Sequence, residues 1–127
     1  MKSGFLLLGA ISALIGVAMG AFGAHGLKGA LSPEMLTVYQ TGVSYQMWHA
    51  LGLIGIALMR QQAPESGLLY WAGGLMSAGI LLFSGSLYLL ALLNLKWLGM
   101  ITPLGGVSFI MAWVLIAIFA AKKTTSQ

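Results

Sequence analysis

The chain has 127 residues, 59% hydrophobic and only 6% charged, with a formal net charge of +4 and no cysteine. Soluble domains carry charges on about a quarter of their residues, so eight charged side chains cannot cover a soluble fold of this size. The lack of cysteine excludes disulfides, thiolate nucleophiles and cysteine-ligated metals.

The charges are Lys2, Lys28, Glu34, Arg60, Glu65, Lys96, Lys122 and Lys123. They leave charge-free stretches at 3–27, 35–59, 66–95 and 97–121. A transmembrane helix needs about 20 mostly apolar residues, and each stretch is long enough. Helices or closed barrels alone satisfy every backbone group in lipid. No segment alternates in the inward-outward manner of a barrel strand. The expectation is an all-α polytopic membrane protein, with four transmembrane helices in an antiparallel bundle. It forms one integral membrane domain over 1–127, with helices near 4–24, 33–60, 67–93 and 98–121.

The first helix follows Met1-Lys2-Ser3-Gly4. A signal peptide starts similarly, but its apolar core is about 7–15 residues, whereas this run is longer and is followed by three comparable segments. Retention as helix one is expected. Gly9, Ala13, Gly16, Gly20 and Gly23 recur at spacings of four and three and share one helix face. In lipid, helix association depends on close van der Waals approach, so this face should pack against a neighbouring helix.

Ser32-Pro33-Glu34 reads as a helix start: serine cap, proline in the first turn, acid nearby. Thr37, Gln40, Thr41 and Ser44 then form one side, and Leu36, Tyr39, Val43 and Met47 another. This is an amphipathic segment leading into helix two, either as one long helix or with a bend at Gly42. Residues 60–67, rich in polar residues with proline and glycine, make the clearest turn. Helix three runs from about Leu68 to Leu93, and its serines are expected to donate to carbonyls of their own helix. Helix four follows Asn94-Leu95-Lys96-Trp97, with Thr102-Pro103 near its start. Lys2, Arg60, Lys122 and Lys123 would share one side, and Lys28 and Lys96 the other. That bias places both termini in the cytoplasm.

Four motifs in order carry a resemblance over nearly the whole chain: GAFGAHGL (Gly20–Leu27), TGVSYQMWHAL (Thr41–Leu51), FSGSLY (Phe83–Tyr88) and ITPLGG (Ile101–Gly106). The chain resembles the YgdD/YwdK-type bacterial membrane proteins, domain-of-unknown-function family 423, whose eukaryotic relative is transmembrane protein 256. The resemblance implies a small multi-pass protein of the bacterial inner membrane. It implies no activity, substrate or catalytic residue.

The polar residues gather at the non-cytoplasmic end of such a bundle. His25, Glu34, Gln46, His49 and Asn94 form the candidate polar site, and antiparallel packing could bring His25 and His49 to similar depth. Ionisable and amide groups are costly in lipid, so Gln46 and His49 should face the interior or a wet cavity. The favoured reading has the histidines hydrogen-bonding across helices. The sharper one is a proton or solute site, and a metal site lacks ligand-type spacing. No nucleophile is paired with a base, no acidic dyad is present, and Gly20-x-x-Gly23-x-x-Gly26 follows no strand. Neither enzymatic activity, a cofactor nor a metal is therefore expected. Nucleic acid is excluded as a partner, because the cations flank apolar spans and form no basic-aromatic surface. The expected partners are membrane lipids, with a homo-oligomer as a further expectation. The expected role is a structural or accessory membrane bundle; the alternative is an oligomeric channel or carrier for a small solute or ion.

Overall fold

The computed structural model describes residues 4–125, so Lys2, counted in the charge bias, lies outside it. The helices are α1 (Gly4–His25), α2 (Pro33–Gln62), α3 (Gly67–Gly79), α4 (Gly85–Leu93) and α5 (Thr102–Thr125). A π turn, Ile80–Ser84, joins α3 to α4 as one rod, and a 3₁₀ turn, Lys96–Met100, precedes α5. The described chain is thus all-helical, with four rods and no strand. Three rods are long and apolar enough to cross a membrane: Gly4–His25, Gly67–Leu93 and Lys96–Lys122. The rod formed by α2 is longer, but Gln40, Gln46, His49 and Arg60 interrupt its apolar character.

Each boundary has a local cause. α1 has no internal proline and stops where Gly26 and Leu27 both bond back to the Phe22 carbonyl, at 2.6 and 3.2 Å. Gly29 follows with φ of 86°, a left-handed conformation that glycine adopts without a Cβ clash. Ser32 caps α2 through Met35 N at 3.1 Å, with Pro33 in the first turn and Glu34 beside it. Ser66 caps α3 in the same manner, at 3.3 Å from Leu69 N. Asn94, one of the residues that tolerates the left-handed region, ends α4 with φ of 56°. Residues 96–100 form the 3₁₀ turn rather than the first turn of α5, which starts at Thr102.

α2 is one continuous helix of 30 residues, about 45 Å at 1.5 Å per residue. There is no break at Gly42, which is buried with the Tyr88 ring 2.9 Å from where a Cβ would stand. Thr37, Gln40 and Ser44 are exposed, while Tyr39 is fully buried.

α1 packs on α2 through glycine. Gly9, Gly16 and Gly23 are buried, whereas Ala13 and Gly20 are half-buried. A Cβ at Gly23 would meet the Tyr39 ring, at Gly20 Val43, at Gly16 Met47, and at Gly9 Ile54 and the Ala50 carbonyl oxygen. Numbers fall along α1 as they rise along α2, so the two helices run in opposite directions. Most of the remaining α1 surface is exposed leucine, isoleucine and valine.

The neighbours decide which substitutions this seam accepts. At Gly16 the obstacle is the flexible Met47 thioether, which can swing aside. At Gly9 it includes backbone, the Ala50 oxygen at 2.9 Å. Gly9→Ala is therefore expected to lower stability by about 1–3 kcal/mol, and Gly16→Ala by less than about 1 kcal/mol. Thermal unfolding of the two variants in one detergent checks this order.

The second seam joins α5 to α3 and the π turn. Leu53, Ile56, Leu69, Ala72, Met76, Ile80, Phe109 and Ala112 form the main apolar core across α2, α3 and α5. Gly79 lies under the Phe109 ring, and Gly105 rests on the Phe83 backbone. A π turn widens the helix by one residue and commonly carries a special local role. Here it presents the Phe83 backbone to α5 and turns Ser84 towards α2.

Candidate polar site

Two sequence candidates, Gln46 and His49, lie buried one turn apart on α2, at 4% and 5% exposure. Gln46 bridges two other helices. Its Nε2 donates to the Ser12 carbonyl of α1 at 2.8 Å, and its Oε1 accepts from the Tyr88 hydroxyl of α4 at 2.5 Å. One amide thus ties α1, α2 and α4 at a single depth.

His49 has both ring nitrogens engaged. Its Nε2 accepts from Trp113 Nε1 at 3.0 Å, while Nδ1 lies 2.7 Å from the Tyr45 carbonyl one turn back. Indole is a donor only, so Nε2 carries the lone pair and Nδ1 the proton that goes to Tyr45. This places the imidazole in its neutral Nδ1–H tautomer. Phe109 stacks on it with centroids 3.5 Å apart and an interplanar angle of 12°. Tyr45 and Phe83 extend the cluster, their rings 4.5 Å apart. Aromatic neighbours fix the ring plane, and the two hydrogen bonds fix its rotation.

The other three candidates stand elsewhere. His25 ends α1, Glu34 lies in the first turn of α2 and Asn94 caps α4, and all three are exposed. His25 and His49, which antiparallel packing left free to meet, stand apart. Gly23 lies against Tyr39, and His49 is ten residues further along α2, about 15 Å at 1.5 Å per residue. The glycine seam sets that register. Among the described residues, no three histidine, aspartate or glutamate side chains stand together.

The hydroxyl groups serve cross-helix contacts more than the sequence indicated. Ser84 Oγ donates to the Gly42 carbonyl of α2 at 2.7 Å, rather than to its own helix. The π turn produces this change, by aiming Ser84 across the interface. Ser86 Oγ lies 2.9 Å from Phe83 O on its own helix and 2.6 Å from Thr102 Oγ1. Ser108 Oγ donates to Leu75 O at 2.6 Å, and Tyr39 OH to Met19 O at 2.6 Å. Among the described residues, the one enclosed side-chain nitrogen or oxygen without a partner is Arg60 Nε, at the far end of α2.

Ser12, Tyr88 and Trp113 are the functional partners that sequence reasoning missed. A buried glutamine demands a donor and an acceptor, and that signal was present. The partners lie 34, 42 and 64 residues away from the groups they bind, and only the packing brings them together.

Comparison with known proteins places this arrangement in a family. The family described as "Protein of unknown function (DUF423)" matches residues 19–106. The UPF0382 membrane protein YwdK of Bacillus subtilis is 52% identical over 118 residues, covering 93% of this chain and 96% of the relative. UPF0382 membrane proteins of Staphylococcus epidermidis and Staphylococcus saprophyticus are 47% and 46% identical, over 93% of this chain and 95% and 97% of theirs. No solved structure matches. Glycine-seamed and all-helical, with three membrane-length apolar rods, the chain belongs to the DUF423 family, whose relatives are named as membrane proteins.

Proposed function

We propose that the protein is a structural or accessory component of the bacterial inner membrane, acting through helix and lipid contacts rather than catalysis or transport. In this reading all four rods span the bilayer as an antiparallel bundle. α2 runs beside α1 from Tyr39 to Ile54, so it shares the depth of a helix with an apolar span. The charge bias supports cytoplasmic termini, with Arg60, Lys122 and Lys123 at that face and Lys28 and Lys96 opposite. Exposed apolar side chains such as Leu7, Leu14 and Leu81 then face acyl chains.

The observation that carries this reading is the closure of the interior hydrogen bonds. Gln46, His49, Ser84, Ser86 and Ser108 each end on a partner inside the protein, and so, among the described residues, leave no chain of free polar groups for water or ions to follow. The groove lined by Leu8, Ser12, Leu53, Ser77, Ile80 and Leu81 opens to the outer surface, where Leu8 and Leu81 are exposed. Purified protein in liposomes is expected to pass protons, alkali ions and small neutral solutes no faster than protein-free vesicles. Protein-dependent flux of any of these would replace the structural reading with a channel or carrier.

A further inference from the structure

Arg60 stands apart from the satisfied interior. Its guanidinium lies over the rings of Phe5 and Tyr70, 5.3 and 5.7 Å from their centroids. The ring of Trp71 meets Tyr70 edge-on at 6.1 Å. These residues come from three helix ends: the start of α1, the end of α2 and the start of α3. Nε is enclosed and has no acceptor, and among the described residues nothing accepts from the two terminal amino groups either. Glu65, the acid at this end, is exposed and makes no ion pair with Arg60 among the described residues.

The two ring centroids are 6.2 Å apart, so the guanidinium lies beside both rings, and their quadrupoles attract it from one side. A guanidinium edge presents parallel N–H donors in the spacing of phosphate oxygens, which it binds in a fork. Arg60 ends α2 where the apolar rods of α1 and α3 begin, beside the tyrosine and tryptophan typical of a headgroup boundary. The cytoplasmic leaflet that the charge bias assigns to this end is rich in anionic lipid.

We propose that Arg60, held against Phe5 and Tyr70, is a binding site for a phosphate group, supplied by an anionic lipid headgroup at the membrane face. The position of that face rests on the membrane topology proposed above; the phosphate chemistry of the site does not. The fork selects the phosphate, and the aromatic walls keep the guanidinium from folding back along α2.

The test uses the full chain purified in a neutral detergent, titrated with phosphatidylglycerol, phosphatidylcholine and inorganic phosphate. Native mass spectrometry counts bound lipid. Wild-type protein is expected to retain one phosphatidylglycerol with at least tenfold preference over phosphatidylcholine. Arg60→Gln should remove that preference, and Lys96→Gln at the opposite end should keep it. Phe5→Leu leaves the charge but removes one wall, and a several-fold weaker binding is expected; it also serves where Arg60→Gln does not fold. Inorganic phosphate that displaces the lipid at equal concentration would support the phosphate site and assign it to the free ion instead. Equal phosphatidylglycerol retention in wild type, Arg60→Gln and Phe5→Leu would overturn the proposal, as would an equal loss in Lys96→Gln. Ion flux in liposomes would overturn the structural role without altering these affinities, so the two failures are distinguishable.

Discussion

Gly105→Leu is expected to be the most damaging single substitution in the protein, with little or no folded material recovered. A Cβ at Gly105 would sit within the van der Waals shell of Phe83 N and 2.8 Å from Phe83 Cα. Those are backbone atoms of the π turn, and they cannot rotate aside as a side chain can. α5 would have to lift from the rod it packs against, separating Phe109 from His49 and Ser108 from Leu75. Overpacking commonly costs about 1–3 kcal/mol; an obstacle made of backbone should exceed that range. Gly74→Ala, on the α3–α4 rod that faces Gly105, is the control. A Cβ there meets nothing within 4 Å, and replacing glycine in a helix interior gains up to about 1 kcal/mol. Detergent-solubilised yield and unfolding temperature read both variants. Normal yield and stability for Gly105→Leu would show that α5 does not rest on the Phe83 backbone.

Gln46→Leu should carry the second largest effect, about 2–3 kcal/mol. Leucine roughly conserves the volume, so the loss comes from the polar groups it deprives of a partner. The Tyr88 hydroxyl loses its acceptor, whereas the Ser12 carbonyl loses only a second donor and keeps its bond within α1. An unsatisfied buried group costs about 1–3 kcal/mol, more than the bond itself contributes. Tyr88→Phe alone leaves Gln46 Oε1 unpaired and should cost about 1 kcal/mol. In the double variant the Tyr88 hydroxyl and its acceptor are gone together, so the combined loss should fall short of the sum by about 1 kcal/mol. Chemical unfolding of the four proteins gives the cycle directly, and simple additivity would mean that the two residues do not meet.

The helical, membrane-associated character was legible because charge placement and apolar length are local properties of the chain. The capped start at Ser32-Pro33-Glu34 was equally legible, since one turn of sequence holds the cap and its partner. Gln46 and His49 stood out because an amide and an imidazole inside an apolar run need partners. Their actual partners did not. The choice of Trp113 for His49 depends on how α5 sits against α2, which follows from Gly79 and Gly105 meeting aromatic and backbone neighbours on other rods. The π turn was invisible for a similar reason: Ile80-Leu81-Leu82-Phe83-Ser84 carries no breaker that would announce an extra residue per turn. The grouping of His25 and His49 failed on register. Charge patterning assigns the end of a helix, whereas the glycine-by-glycine fit of α1 on α2 sets depth along it.

The central claim is that the interior around His49 and the α3–α4 serines is closed to water. The chain contains no cysteine, so single cysteines can be placed without background. Membrane-impermeant maleimide applied to intact membranes measures the claim most directly. Ser84→Cys, Ser86→Cys and Ser108→Cys are expected to stay unlabelled from either side and to react only after denaturation. Lys28→Cys and Lys96→Cys should label from outside, and Glu65→Cys only when the cytoplasmic face is opened. Labelling of Ser84→Cys in the folded protein, at a rate near that of Lys28→Cys, would contradict the closed bundle and reveal a wet path through it.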